Sequence, residues 1–221
     1  MTDLHLPNIG YPTGKEFGVS NANDTFALSE AERTLRKGNI ANLFGAILDE
    51  LGIDRNDPNA ADTPNRVAKM FVDEIFAGRF QEAPKVTVFP NTRKIDEMIV
   101  TGPLTVRSMC SHHFMPIEGK AWIGYIPDQH LLGLSKFPRL LDWFARRPQI
   151  QEELTQSLAN YLQEILNPKG LAVYLSCSHF CQSHRGVNES SSSVMTTSVL
   201  KGGMLSGNVR QEFLSYVTNS K

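Results

Sequence analysis

The chain has 221 residues, 41% hydrophobic and 20% charged, a balance that suits one large domain or a domain with an appendage. A formal charge of −1 excludes a general basic field for nucleic acid, so any anion site has to be built locally. No apolar run reaches membrane-spanning length, no leader-like pattern opens the chain, and three cysteines are too few for a disulfide framework; together these point to the cytoplasm, away from membranes.

Residues 1–28 carry Pro, Gly, Asn and Asp with little periodicity and read as a loose arm. A helix is expected from Ser29. Its Ile40, Leu43, Phe44, Ile47, Leu48 and Leu51 follow three-and-four spacing, with Gly52 as the exit. In "DTPNRVAKMFVDEIFAG", Thr63 suits a cap, Pro64 the first turn and Gly78 the exit. Val67, Met70, Phe71 and Ile75 make the apolar stripe of that helix. Arg66 and Lys69 share another face, and from the pattern alone such a pair is a solvated one. Residues 29–80 thus form an N-terminal helical region, and 81–221 a second unit.

From residue 84 the pattern changes period. "KVTVFP", "MIVTGPLTVRSM" and "GKAWIGYIP" alternate as strands do. "KFPRLLDWFARRPQIQEELTQSLANYLQEILNPKG" is helical, broken at Arg147-Pro148, with Ile150, Leu154, Leu158, Leu162 and Ile165 along one side of its second half. Strand-like sequence returns at Leu171 and again in a Ser/Thr-rich stretch near 190–200, before a closing helix, "GNVRQEFLSYV". Strands grouped around a helical pair predict an α+β fold rather than alternating βαβ units.

Two stretches carry metal-ligand chemistry. In "RSMCSHHFMP", Cys110, His112 and His113 fall within four residues. Positions three apart on a strand face opposite ways, so Cys110 and His113 can grip one ion only if the chain turns between them. In "LAVYLSCSHFC", Cys177, His179 and Cys181 continue an apolar period-two face. The plain reading is a core strand with small sulfur side chains, although a buried imidazole calls for hydrogen-bond partners. Two thiolates and one imidazole suit Zn²⁺ and leave a fourth position open, as catalytic sites do; Cys177 as a fourth ligand would close it.

The segments "TPNRVAKMFVDEIF", "CSHHFMPIEGKAWIGYIP", "GLSKFPRLLDWFARRPQIQEELT" and "HFCQSHRGV", in this order, resemble the GTP cyclohydrolase I family from about residue 38 to the C-terminus. The resemblance implies a tunnelling fold: an antiparallel sheet with helices packed on one side, assembled into a toroidal homodecamer, a dimer of pentamers with active sites at subunit interfaces. It implies hydrolysis of the imidazole ring of GTP, release of C8 as formate and closure to 7,8-dihydroneopterin triphosphate, the entry to pterin and tetrahydrofolate synthesis. Family positions fall on Cys110, His113 and Cys181 as zinc ligands and on His112 and His179 as proton-transfer groups. Glu152, with Gln151 beside it, matches the reader of guanine. Leu134, Ser135, Lys136, Arg139 and Arg185 match ribose and phosphate contacts, as do Arg66 and Lys69 from a neighbouring subunit. Ser111 departs from the family, which usually has Glu there, and removes a charge next to the metal ligand. The related nitrile reductases use a nucleophilic Cys and a nicotinamide cofactor, and the complete Cys110, His113, Cys181 set argues against them. A zinc-stabilised assembly that binds GTP without hydrolysing it is a rival from another class.

Overall fold

The structure, a computed structural model, describes residues 24–220. The first helix, α1 (Glu30–Glu50), starts as its sequence suggests. The Ser29 hydroxyl accepts from the Glu32 N–H at 3.3 Å, and the Glu32 carboxylate accepts from the Ser29 N–H at 2.8 Å. This reciprocal pair satisfies two donors that a helix start leaves open. The chain turns away at Gly52, with φ +69°. Of the arm predicted at 1–28, residues 1–23 lie outside the described residues. Its last part docks on the chain near Phe80. The Phe26 N–H donates to the Arg79 carbonyl at 2.8 Å, and the two rings Phe26 and Phe80 meet edge-on at 5.5 Å.

The second predicted helix is three pieces: α2 (Thr63–Lys69), a π-helical stretch (Met70–Ile75) and α3 (Ala77–Phe80). Asp62, not Thr63, holds the cap position, and no side chain caps there. Pro64 brings no N–H to satisfy, and the Asp62 carboxylate instead accepts from Arg66 Nε at 3.2 Å. Asp73, in the π-helical stretch, accepts from Arg33 at 3.2 Å and Lys37 at 3.1 Å, which ties it to α1. Burial pushes the Asp73 carboxyl up, but bonds and charge from Lys37 and Arg33 outweigh it and hold the pKa below the ordinary value.

Gly78 is not the exit. It lies inside α3, where a Cβ would come within 1.9 Å of the Trp143 carbonyl oxygen, so two backbones touch there. Gly78→Ala is therefore expected to destabilise the protein by about 3 kcal/mol, at the upper end of the usual cost of overpacking. A urea midpoint unchanged from the parent's would refute that contact.

The second unit runs β1 (Val88–Pro90), β2 (Ile99–Cys110), β3 (Pro116–Ile126) and β4 (His130–Leu132), then α4 (Lys136–Ala145) and β5 (Pro148–Gln149). It continues through α5 (Gln151–Leu166), β6 (Gly170–His179), the single turn α6 (Phe180–Ser183), β7 (Val194–Gly202) and α7 (Gly207–Asn219). β1 and β4 form a small antiparallel pair, and the main sheet has the order β5-β2-β3-β6-β7.

This confirms α+β with two corrections. The sheet is mixed, because the chain leaving α4 runs β5 parallel to β2. Helices also cover both faces. α4 and α5 bury Leu140, Leu154, Leu158 and Leu162 against Val106, Ala121, Ile123, Val173 and Leu175. Strand alternation turns Trp122 and Ala172 the other way, and there Phe213 and Val217 of α7 cover them. Each fully buried leucine contributes on the order of 2–3 kcal/mol. Among the described residues no helix is long and apolar enough to cross a membrane.

Pairing places one end of the sheet for chemistry. Met109 faces Pro116, Ile117 faces His179, and Cys110 faces Gln149. α4 ends at this same end, where the Ala145 carbonyl accepts from the Ser108 hydroxyl at 2.7 Å. Its start lies beyond Leu132, whose N–H donates to the Tyr125 hydroxyl at 3.3 Å near the far end of β3.

Candidate active site

Cys110 closes β2, and the chain then leaves strand geometry as the ligand spacing demands. The Phe114 N–H donates to the Cys110 carbonyl at 3.0 Å, and the Cys110 N–H to the Met115 carbonyl at 2.8 Å. Phe114 takes φ +51°. The turn leaves His112 and His113 exposed beside a buried thiol. His112 Nδ1 lies 3.7 Å from Cys110 Sγ. His113 Nε2 lies 3.1 Å from Arg185 Nη1. A guanidinium only donates, so His113 Nε2 is the acceptor in this contact.

Cys181 arrives from the end of β6, which lies across β3 from β2. The expectation that it shares a strand face with His179 does not hold, because β6 stops at His179 and Cys181 sits in α6. The helical turn is closed by the His184 N–H on the Phe180 carbonyl at 3.0 Å. Cys181 still reaches Cys110. Burial first, then the charge of Cys110 and a hydrogen bond to it, raise the Cys181 thiol pKa, while Arg185 works in the opposite direction. Cys177 is the thiol that stays apart in chemistry. It is 1% exposed within the helix-covered core, and burial pushes its pKa up to about 12.

Among the described residues no three His, Cys, Asp or Glu side chains converge closely enough to hold a metal ion. Two of the expected ligands meet, and the third, His113, is turned to Arg185 by one exposed hydrogen bond. The donor chemistry fits a thiophilic divalent ion. Two sulfurs are already paired, a cation between them would offset the repulsion that the Cys110 charge adds, and an imidazole stands on the adjoining turn.

His179 occupies the end of β6, with Nε2 2.8 Å from Gln151 Oε1. Burial lowers its pKa, and the Glu152 charge offsets part of that. Gln151, the first residue of α5, is fully buried, and its Nε2 reaches Thr197 Oγ1 at 2.9 Å, the Met195 carbonyl at 3.2 Å and the Leu175 carbonyl at 3.5 Å. Thr155 Oγ1 lies 2.7 Å from the Gln151 carbonyl and 2.6 Å from Thr197 Oγ1. Glu152 is exposed next to this group. Sequence reading passed over Thr155 and Thr197. The available signal was Thr155 four residues after Gln151, on the same helical face as the buried leucines.

The remaining candidates divide. Arg185 stands at the thiol end, through His113. Leu134 (72% exposed), Ser135, Lys136 and Arg139 stand at the start of α4. Lys136 donates to the Lys85 carbonyl at 3.2 Å, and α4 separates it from the thiol end by about 14 Å of helix. Arg66 is paired with Asp62, and Lys69 is exposed. Within one chain the structure unites the thiols, His112, His113 and Arg185, and separately His179 and Gln151; Lys136 and Arg139 stand at the other end of α4.

A family model described as GTP cyclohydrolase I matches residues 40–218 of this chain. GTP cyclohydrolase 1 of Salmonella gallinarum (strain 287/91 / NCTC 13346) and that of Salmonella choleraesuis (strain SC-B67) are each 42% identical over 193 residues, 86% of this chain and 86% of theirs. A crystal structure of the archaeosine synthase QueF-Like in the apo form covers 55% of this chain and 98% of its own, at 16% identity and a TM-score of 0.38.

Proposed function

The chain belongs to the GTP cyclohydrolase I family and is such an enzyme; from that premise we propose that it opens the imidazole ring of GTP at the end of the sheet where Cys110 and Cys181 meet. GTP and water would give formate and 7,8-dihydroneopterin triphosphate, which commits the purine to pterin and tetrahydrofolate synthesis in the cytoplasm. The observation that carries the placement is the meeting of two thiols from separate strand ends beside two exposed histidines.

Cys110, Cys181 and His113 would hold zinc. When bound, the ion supplies Lewis acidity that makes water nucleophilic near neutral pH. The protein residues do the rest. His179, kept neutral by burial, is ready to take a proton, and His112 stands at the mouth of the same corner to move another. Glu152 accepts the N1–H and the exocyclic N–H of guanine, a pairing that selects this base by two parallel bonds. Gln151 adjoins it in sequence. Arg185, which now donates to His113, would take phosphate charge with His113 serving as a ligand.

Lys136, Arg139, Arg66 and Lys69, together with Leu134 and Ser135, complete the triphosphate and ribose site from neighbouring subunits of a toroidal homodecamer. The separation of Lys136 and Arg139 from the thiol end by the length of α4 supports that reading, since a triphosphate requires its cations together.

The test is direct. Zinc-loaded protein incubated with GTP is expected to release one formate per oxidisable pterin triphosphate formed. Assembled protein that binds zinc and GTP yet yields neither product would end the proposal and leave a binding assembly in its place.

A further inference from the structure

Building on the catalytic reading of His179, we propose that Gln151, Thr155 and Thr197 are positioning residues, forming a closed hydrogen-bond ring that holds His179 as its Nε2–H tautomer and leaves Nδ1 to exchange protons with the substrate.

The directions of the bonds are set by counting protons. Thr155 has one hydroxyl proton, and the Gln151 carbonyl, 2.7 Å away, can only accept it. Thr197, at 2.6 Å, therefore donates to Thr155 and keeps its lone pairs for the Gln151 amide nitrogen at 2.9 Å. The second amide proton goes to the Met195 carbonyl at 3.2 Å. A flipped amide would set its oxygen against two backbone carbonyls, which no proton could bridge. The Gln151 oxygen is thus fixed towards His179, and at 2.8 Å it is an acceptor that only an N–H can satisfy.

This arrangement shapes the reaction in two ways. His179 Nδ1 bears the lone pair and has no hydrogen-bond partner among the described residues. When it takes a proton, the imidazolium keeps its Nε2–H bond to Gln151; when it returns the proton, the same tautomer re-forms without rotation of the ring. Gln151, fully buried with both amide protons committed, has none left for guanine. It acts through His179 instead. An oriented acceptor beside a catalytic histidine serves the same end in other enzymes, where the wrong tautomer is costly.

Steady-state kinetics on zinc-loaded protein separate the possibilities. Thr197→Val removes the hydroxyl with little change of shape, and Gln151→Met removes the acceptor. Each is expected to lower kcat by about 10–100-fold, with the KM for GTP within about 2-fold of the parent and bound zinc unchanged. Thr197→Ser, which keeps the hydroxyl, is expected to recover most of kcat, and Thr155→Val breaks the ring at an independent point should Thr197→Val misfold. A Gln151→Met variant with raised KM and unchanged kcat would show contact with guanine and overturn the proposal. So would equal kcat for Thr197→Val and Thr197→Ser. His179→Ala is the control for the premise: if it retains parental turnover, the catalytic reading of His179 itself falls, whereas its inactivity beside a fully active Thr197→Val defeats the ring alone.

Discussion

Cys181→Ala is expected to lose both its zinc and, by at least about 10³-fold, its formate release, because the ion is what makes water reactive at neutral pH. Cys181 is only partly buried, in a single helical turn after β6, so the sheet and its core have no reason to fail with it. The informative comparison is His112→Ala. His112 stands on the turn between Cys110 and His113 and approaches Cys110 Sγ at 3.7 Å, yet in the proposed function it is one of the proton-moving pair and not a ligand. Its loss is expected to leave zinc in place and lower kcat by about 10²–10⁴-fold, the usual worth of a general acid–base group. Elemental analysis beside turnover decides. Equal zinc loss in the two variants would show that the ligands have been assigned to the wrong histidine.

The second large effect is expected at Gly119, in the middle of the strand ladder. Gly119 pairs with Cys177 across β3 and β6. A Cβ there would lie 2.1 Å from the Ser176 carbonyl oxygen and 2.5 Å from Cys177 Cα. Those are backbone atoms, so no rotamer relieves the clash and the strands have to part. Gly119→Ala is expected to cost about 4 kcal/mol, among the largest single-residue effects. The same ladder seats His179 opposite Ile117, so turnover should fall with stability. Cys177→Ala in the same chain removes only the sulfur contact at 2.9 Å and should rescue little. A double variant as stable as the parent would place the clash on the side chain, against this account.

The strands were legible because alternation survives in β2, β3 and β6 even where both faces are covered. Ser29 and Arg147-Pro148 marked real boundaries, since capping and proline geometry are local. What stayed hidden was set by neighbours distant in sequence. Gly78 reads as a helix exit until Trp143 is seen against it. The stripe Val67, Phe71, Ile75 is spaced by four and does not distinguish an α-helix from the π-helical stretch that begins at Met70. The turn after Cys110 was deducible, because a strand cannot present Cys110 and His113 together. The hold on His179 was not, because it needs α5 and β7 packed side by side to bring Gln151 and Thr197 within 2.9 Å.

Cys110 and Cys181 are separated by roughly 70 residues of chain that include the helices α4 and α5 and the four strands β3 to β6. The ribosome, adding about 5–20 residues per second, therefore finishes the first thiol several seconds before the second emerges. Until β6 zips onto β3 the early half of the pair is a solitary cysteine with two histidines at its side, a loose catch for any stray cation. With Cys110, His113 and Cys181 as the ligands of the proposed function, the complete set of donors would exist only after translation has passed β6, and the protein would take up its metal as a folded body, not along the way.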